Sequence, residues 1–185
     1  MSLTSEPEAQ SLPFLGMAPF LRMSIAGVDF SSMTQEMIAL AEKAPEDATL
    51  WMNLAIAMMS LKHEESGLQI QNQALQMQRV YHWHARQPTK LRVLLLMVPG
   101  NLSANIPLDC LLEDSDIDLI HYYVDPGAPH PLTSPVPEHD LVMVAIGASD
   151  EQAAVLQRLE NVLHDWPKPV LNSPQNVPNS ERHNA

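Results

Sequence analysis

Six uncharged or acidic side chains stand where this chain could do chemistry: Asn101, Ser103, Asn105, Asp125, Ser149 and Asn172. Each follows an apolar run, and amide and hydroxyl groups so placed suit a small polar ligand held by hydrogen bonds. They do not suit covalent catalysis. No GxxxxGK[ST] loop, nucleophile elbow or Ser/His/Asp order occurs, so no catalytic residue is assigned. The GASD turn at Gly147–Asp150 is not GxGxxG, and the carboxylates of Asp150 and Glu151 beside it would repel a phosphate. Asp114, Asp116, Asp118 and Asp125 imitate a calcium ladder, but Leu119 occupies the position that must turn sharply, and Asp replaces the closing bidentate Glu. His82 and His84 form an HxH pair with no Cys, Asp or third His close by in sequence to complete a zinc site. No metal site is expected. Cys110, amid Leu108, Leu111 and Leu112, reads as a small core residue.

The elements that must position the six residues are legible from pattern. Leu141–Ile146 is a short unbroken apolar run, the signature of a strand buried on both faces. Gly147 breaks it, Ser149 with Gln152 predicts a capping box, and Val155, Leu156, Leu159, Val162, Leu163 and Trp166 make one helical stripe. Pro167 ends that helix and Val170–Leu171 begins another strand, so the segment is a β-α-β unit. Arg92–Val98 is a second buried strand, Pro107–Leu112 a short helix and Asp118–Val124 a third strand, with His121 half-buried. Ala128–Glu138, with four prolines, is an irregular connection. If the strands are parallel, their C-terminal ends gather the six residues along one edge.

Upstream, Ser32 and Gln35 predict a capped helix to about Ala44, with Met33, Met37, Ile38, Leu40 and Ala41 inward. Trp51, Leu54, Ala55 and Met58 fall at core positions of a second helix. Gly67, Leu68, Gln71, Ala74 and Leu75 do so on a third. Phe14, Phe20, Leu21 and Met23 predict an apolar arm docked on the body. Tyr81–Lys90 reads as a linker, which divides the chain into an arm (1–30), a helical segment (31–85), an α/β domain (90–173) and a tail (174–185). Asn179 or Ser180 could cap a further helix beginning with Glu181 and Arg182, an expectation of continuing chain.

The 185 residues carry 10 basic and 22 acidic side chains, a formal charge of -12, which disfavours nucleic acid and anionic membrane as partners. A single cysteine permits no internal disulfide and fits a reducing cytoplasm. Glu6 and Glu8 occupy the N-terminus in place of a basic signal region, and no apolar run approaches the ~20 residues of a membrane helix.

The spacing of Trp51 through Leu75 resembles one tetratricopeptide repeat, with Lys62 at the usual turn glycine and Gln71 at a customary aromatic. Three further segments carry a second resemblance: PFLRMSIAGVDF, PGNLSANIPLDCLLEDSDIDL, and PEHDLVMVAIGASDEQ with WPKPVLNSP. Together they resemble a bacterial family that joins tetratricopeptide-like helices to a Rossmann-like pre-ATP-grasp domain and then an ATP-grasp domain. The resemblance implies an ATP-dependent carboxylate–amine ligase context, in which this chain is a non-catalytic region shaping the substrate side of a cleft. ATP and magnesium are then expected only with the ATP-grasp domain, whose clamping lysines and acidic metal ligands this sequence lacks. That domain or another protein is the expected partner. The rival expectation is a stand-alone protein-interaction module using the helical hairpin and the Ala128–Glu138 loop.

Overall fold

The structure, a computed structural model, describes residues 12–180. It is mixed α/β, built on a five-stranded, mostly parallel sheet of order β1-β3-β2-β4-β5. The strands are β1 (Val80–Trp83), β2 (Leu91–Met97), β3 (Ile117–Tyr123), β4 (Leu141–Val144) and β5 (Val170–Leu171). Only the β1–β3 pair is antiparallel. The central β2 carries Val93–Met97, buried on both faces, which is why its sequence runs apolar without alternation.

Two crossovers leave the sheet in opposite directions. From β2 the chain passes through α5 (Leu108–Leu112) to β3 on one side. From β4 it passes through a 3-10 turn (Asp150–Gln152) and α6 (Ala153–Leu163) to β5 on the other. The two helices cover opposite faces: Leu108 and Leu112 join one core, whereas Val155, Leu156, Leu159 and Leu163 join the other. The β3–β4 connection is irregular, as expected, and is tied down where the Tyr122 hydroxyl donates to the Ser134 carbonyl at 2.6 Å and accepts its N–H at 2.7 Å.

The remaining helices form a layer on the α5 face. They are α1 (Ala18–Ile25), α2 (Ser31–Lys43), α3 (Ala48–Ser60) and α4 (Glu64–Met77). α3 and α4 form a hairpin that packs tightly at Gly67, where a Cβ would stand 2.4 Å from Met59 Cγ. Leu54 and Ile56 share one buried cluster with Val93, Leu95 and Met97 of the sheet. The arm is docked by Asn53, which accepts the Leu15 N–H at 2.8 Å and donates to the Pro13 carbonyl at 2.9 Å. Phe14 and Phe20 are buried as expected, with Leu21 and Met23 half-buried.

Several expectations need correction. Val80–Trp83, assigned to the end of the helical segment and the linker, is an edge strand of the sheet. Its alternation, Tyr81 and Trp83 inward with His82 and His84 outward, is that of a strand with one wet face. Ile38 and Leu40 are exposed because α2 is an outer helix that packs on α3 through Met37 and Ala41. Trp51 is half-buried, its indole N–H donating to the Pro45 carbonyl at 3.0 Å. Neither capping box forms. Asp29, not Ser32, accepts the Ser31 N–H at 2.9 Å and its hydroxyl at 2.6 Å, which holds the Asp29 carboxyl below its ordinary range. Ser149 makes no side-chain cap bond because the chain first winds a 3-10 turn and enters α6 at Gln152. Pro174–Ser180 is a 3-10 helix, and the helix proposed from Glu181 lies outside the described residues. No helix among them is long and apolar enough to cross a membrane.

Candidate functional site

The opposed crossovers split the sheet edge between the C-terminal ends of β2 and β4. The loop after β2 turns away to the α5 face and the loop after β4 turns to the α6 face. The gap is a crevice of about 420 Å³, floored by Pro99, Gly100 and Ala104 on one side and Gly147 and Ala148 on the other. Parting loops of this kind are the usual ligand position in open α/β sheets.

Three of the six expected residues meet here: Asn101, Ser103 and Ser149 line the crevice with Glu151 and Gln152. Asn101 Oδ1 accepts the Ser103 N–H at 3.1 Å and hydroxyl at 2.7 Å, while its Nδ2 donates to Glu64 Oε1 at 3.2 Å. Ser149 presents an extended backbone and a hydroxyl with no side-chain cap bond. The other three are placed elsewhere. Asn105 is a backbone clamp, accepting the Val98 N–H at 2.8 Å and donating to the Val98 carbonyl at 2.9 Å, and it does not line the crevice. Asp125 pairs with Arg79 at 3.2 Å and accepts the Gly127 N–H, an ordinary turn. Asn172, at φ 50°, donates to the Val144 carbonyl at 2.7 Å and closes β5. Neither lines the crevice.

A second, smaller space of about 40 Å³ lies behind the same loop, on the helical face of the sheet. Gly100 and Asn101 line both spaces. The Gly100 peptide between them is pinned by Gln71, whose Nε2 donates to the Gly100 carbonyl at 3.1 Å and whose Oε1 accepts its N–H at 2.8 Å. Gly100 has φ 154°, and a Cβ there would meet Ala104 Cβ at 2.8 Å, so glycine is required. The inner space is bordered by His121 and Tyr123 of β3, Asp109 of α5, and Met17, Met59 and Met97. Asp109 is buried and caps α1 from outside it, Oδ2 accepting the Met17 N–H at 2.5 Å and the Ala18 N–H at 2.9 Å. His121 is 3 % exposed, not half-buried as expected, because β1 covers the β3 edge. Burial pulls its pKa down to about 4, with the Asp109 charge opposing the shift. Burial likewise pushes the Tyr123 phenol up.

His121 and Asp109 escaped the reading of the sequence as site residues. The available signal was a histidine inside a strand otherwise buried throughout, and Gln71 where an aromatic was due. Among the described residues no three His, Cys, Asp or Glu side chains group to hold a metal. The aspartates of the acidic ladder are engaged separately: Asp114 by Arg86, Asp116 by Lys90, and Asp118 by Thr89 and the Ala85 N–H. The His82 and His84 rings stack 6.4 Å apart on the outer face of β1. Burial among its neighbours raises the Cys110 thiol to about 11, so it is no thiolate nucleophile at neutral pH.

This arrangement defines a mixed α/β protein with a polar crevice at the split edge of its sheet. No family model, curated protein or solved structure matches the chain.

Proposed function

We propose that this chain is the non-catalytic substrate-side region of an ATP-grasp-type, carboxylate–amine ligase-like protein, with a tetratricopeptide-like hairpin packed on a Rossmann-like, pre-ATP-grasp domain. The observation that carries this reading is the crevice between the β2 and β4 loops, lined by Asn101, Ser103 and Ser149. Its groups are hydrogen-bonding and uncharged apart from Glu151, with Glu64 bonded to Asn101 nearby. That balance suits a neutral or amine-bearing substrate and opposes a phosphate. ATP and magnesium therefore belong to a further domain completing the cleft. The rival, a stand-alone interaction module, is weakened because Leu54 and Ile56 of the hairpin are already buried in one cluster with Val93, Leu95 and Met97 of β2. A free groove needs several repeats and open inner faces.

Two measurements test the reading. The gene's reading frame should continue past Ala185 into an ATP-grasp sequence, and a stop codon there would count for the interaction module. Calorimetry of this chain with Mg-ATP should give no saturable heat. A micromolar dissociation constant would sink the division of labour.

A further inference from the structure

Among the described residues, six polar side chains other than tyrosines are buried: Thr34, Asn53, Gln71, Asp109, His121 and His139. Five are accounted for. Thr34 bonds the Phe30 carbonyl, Asn53 the arm, Gln71 the Gly100 peptide and Asp109 the start of α1. His139 lies between the Pro137 carbonyl and the Trp166 indole. His121 alone has neither ring nitrogen partnered among the described residues. Leaving a buried polar group unmade is costly, and such exceptions call for a cause.

The ring borders the inner space, but both nitrogens are closed to a water-sized group as the side chains stand, so a ligand would meet them only where the methionine wall yields. We propose that this cavity is a binding pocket for a small hydroxyl-bearing ligand, with His121 as its recognition group. The inference stands independently of the function proposed above. A neutral imidazole offers one N–H donor and one acceptor nitrogen, and a hydroxyl can answer either. Asp109 and Tyr123 border the same space and supply an acceptor and a second hydroxyl. An anion is disfavoured by the Asp109 carboxylate. A cation is not required, because that carboxylate is already answered by two N–H groups at the positive end of α1. The 40 Å³ space admits about three water-sized groups, so the part enclosed is no larger than a short alcohol. Met17, Met59 and Met97 supply a deformable apolar wall for its carbon atoms.

The experiment follows the His121 ring nitrogens by long-range ¹H–¹⁵N NMR on the full chain, with methanol and ethanol as probes and acetate and methylammonium as controls. Both alcohols should shift the His121 signals saturably, with dissociation constants about millimolar, near the ceiling for ligands of two or three heavy atoms. The controls should not. His121→Phe should weaken alcohol binding at least tenfold with the circular dichroism unchanged, and His121→Gln, which keeps a donor and an acceptor, should restore part of it. Should His121→Phe fail to fold, the wild-type titration decides by itself. Glu151→Trp, which fills the outer crevice, should leave the alcohol shifts as they are. If it abolishes them, the ligand lies outside and the proposal falls. Ring signals that respond only to exchange with water, or equally to acetate and alcohol, overturn it too.

Discussion

His121 concentrates an unspent cost in one side chain. Replacing a buried, unpartnered polar group by an apolar one of similar size removes its desolvation penalty. His121→Leu is therefore expected to stabilise the unliganded protein by about 1–2 kcal/mol in urea denaturation. A loss of that size would mean that the ring nitrogens are satisfied in solution. The pH dependence has a definite sign. The folded pKa lies at about 4 against an ordinary 6.5, so the unfolded chain holds the proton more tightly. Stability is complete above about pH 6.5 and drains as the pH falls towards 4. His82, also lowered by burial, acts in the same direction. Stability curves of His121→Leu should be flatter than wild type across that window. A second residue test concerns Gly16, where φ is 69° and an added Cβ would stand 2.6 Å from Asp109 Oδ2, which leaves no room for a side chain. Gly16→Ala should cost more than about 1 kcal/mol, measured the same way, since it loads a left-handed position and breaks the cap on α1. Why His121 read as half-buried is now plain. Without β1, strand β3 would be an edge, and β1 was hidden by its own polar outer face, His82 and His84.

The elements were more legible than their ends. β2, β3, β4, β5 and α6 lie where apolar runs and stripes place them, because fully buried strands and amphipathic helices leave strong periodic signals. The caps were not legible, since capping residues are interchangeable in sequence and the chain selects among them by its path. α6 shows the consequence. Leu159 is buried at the centre of its stripe, so Leu159→Ala should cost roughly 2–5 kcal/mol. Ser149 makes no cap bond, so Ser149→Ala should stay within about 0.5 kcal/mol. Arg158 donates to the Pro126 carbonyl and tethers the β3–β4 connection, so Arg158→Ala should fall between them. Urea denaturation gives the rank order. A Ser149→Ala loss of about 1 kcal/mol would restore the capping box, and with it a helix starting one turn earlier than Ala153. Of the edge residues, Asn101, Ser103 and Ser149 were found because turn chemistry and ligand chemistry use the same side chains. Asn105, Asp125 and Asn172 were included for that same reason, but the two amides bond backbone groups, and the Asp125 carboxylate pairs with Arg79 and accepts the Gly127 N–H.

At the scale of the molecule, the sheet is a wall between two cores, and the larger core is shared between the sheet and the α1–α4 layer. Phe14, Phe20, Leu54 and Ile56 lie in one cluster with Leu95, Met97, Leu119 and Tyr123. Asn53 and Gln71 then carry hydrogen bonds from the hairpin to the arm and to the Gly100 peptide. A helical hairpin that gives its inner faces to the sheet cannot keep them buried alone. The chain should therefore unfold in one transition. Trp51 reports on α3, Trp83 on β1 and Trp166 on the segment after α6. Single-tryptophan variants, with the other two changed to Phe, should give coincident urea midpoints by fluorescence and far-ultraviolet circular dichroism. A peptide spanning residues 31–78 should be largely unfolded in buffer. If that peptide is helical and melts cooperatively, or the Trp51 midpoint separates from that of Trp166, the hairpin is an independent unit. Its inner faces would then be available to a partner, and the interaction-module reading would displace the substrate-side one.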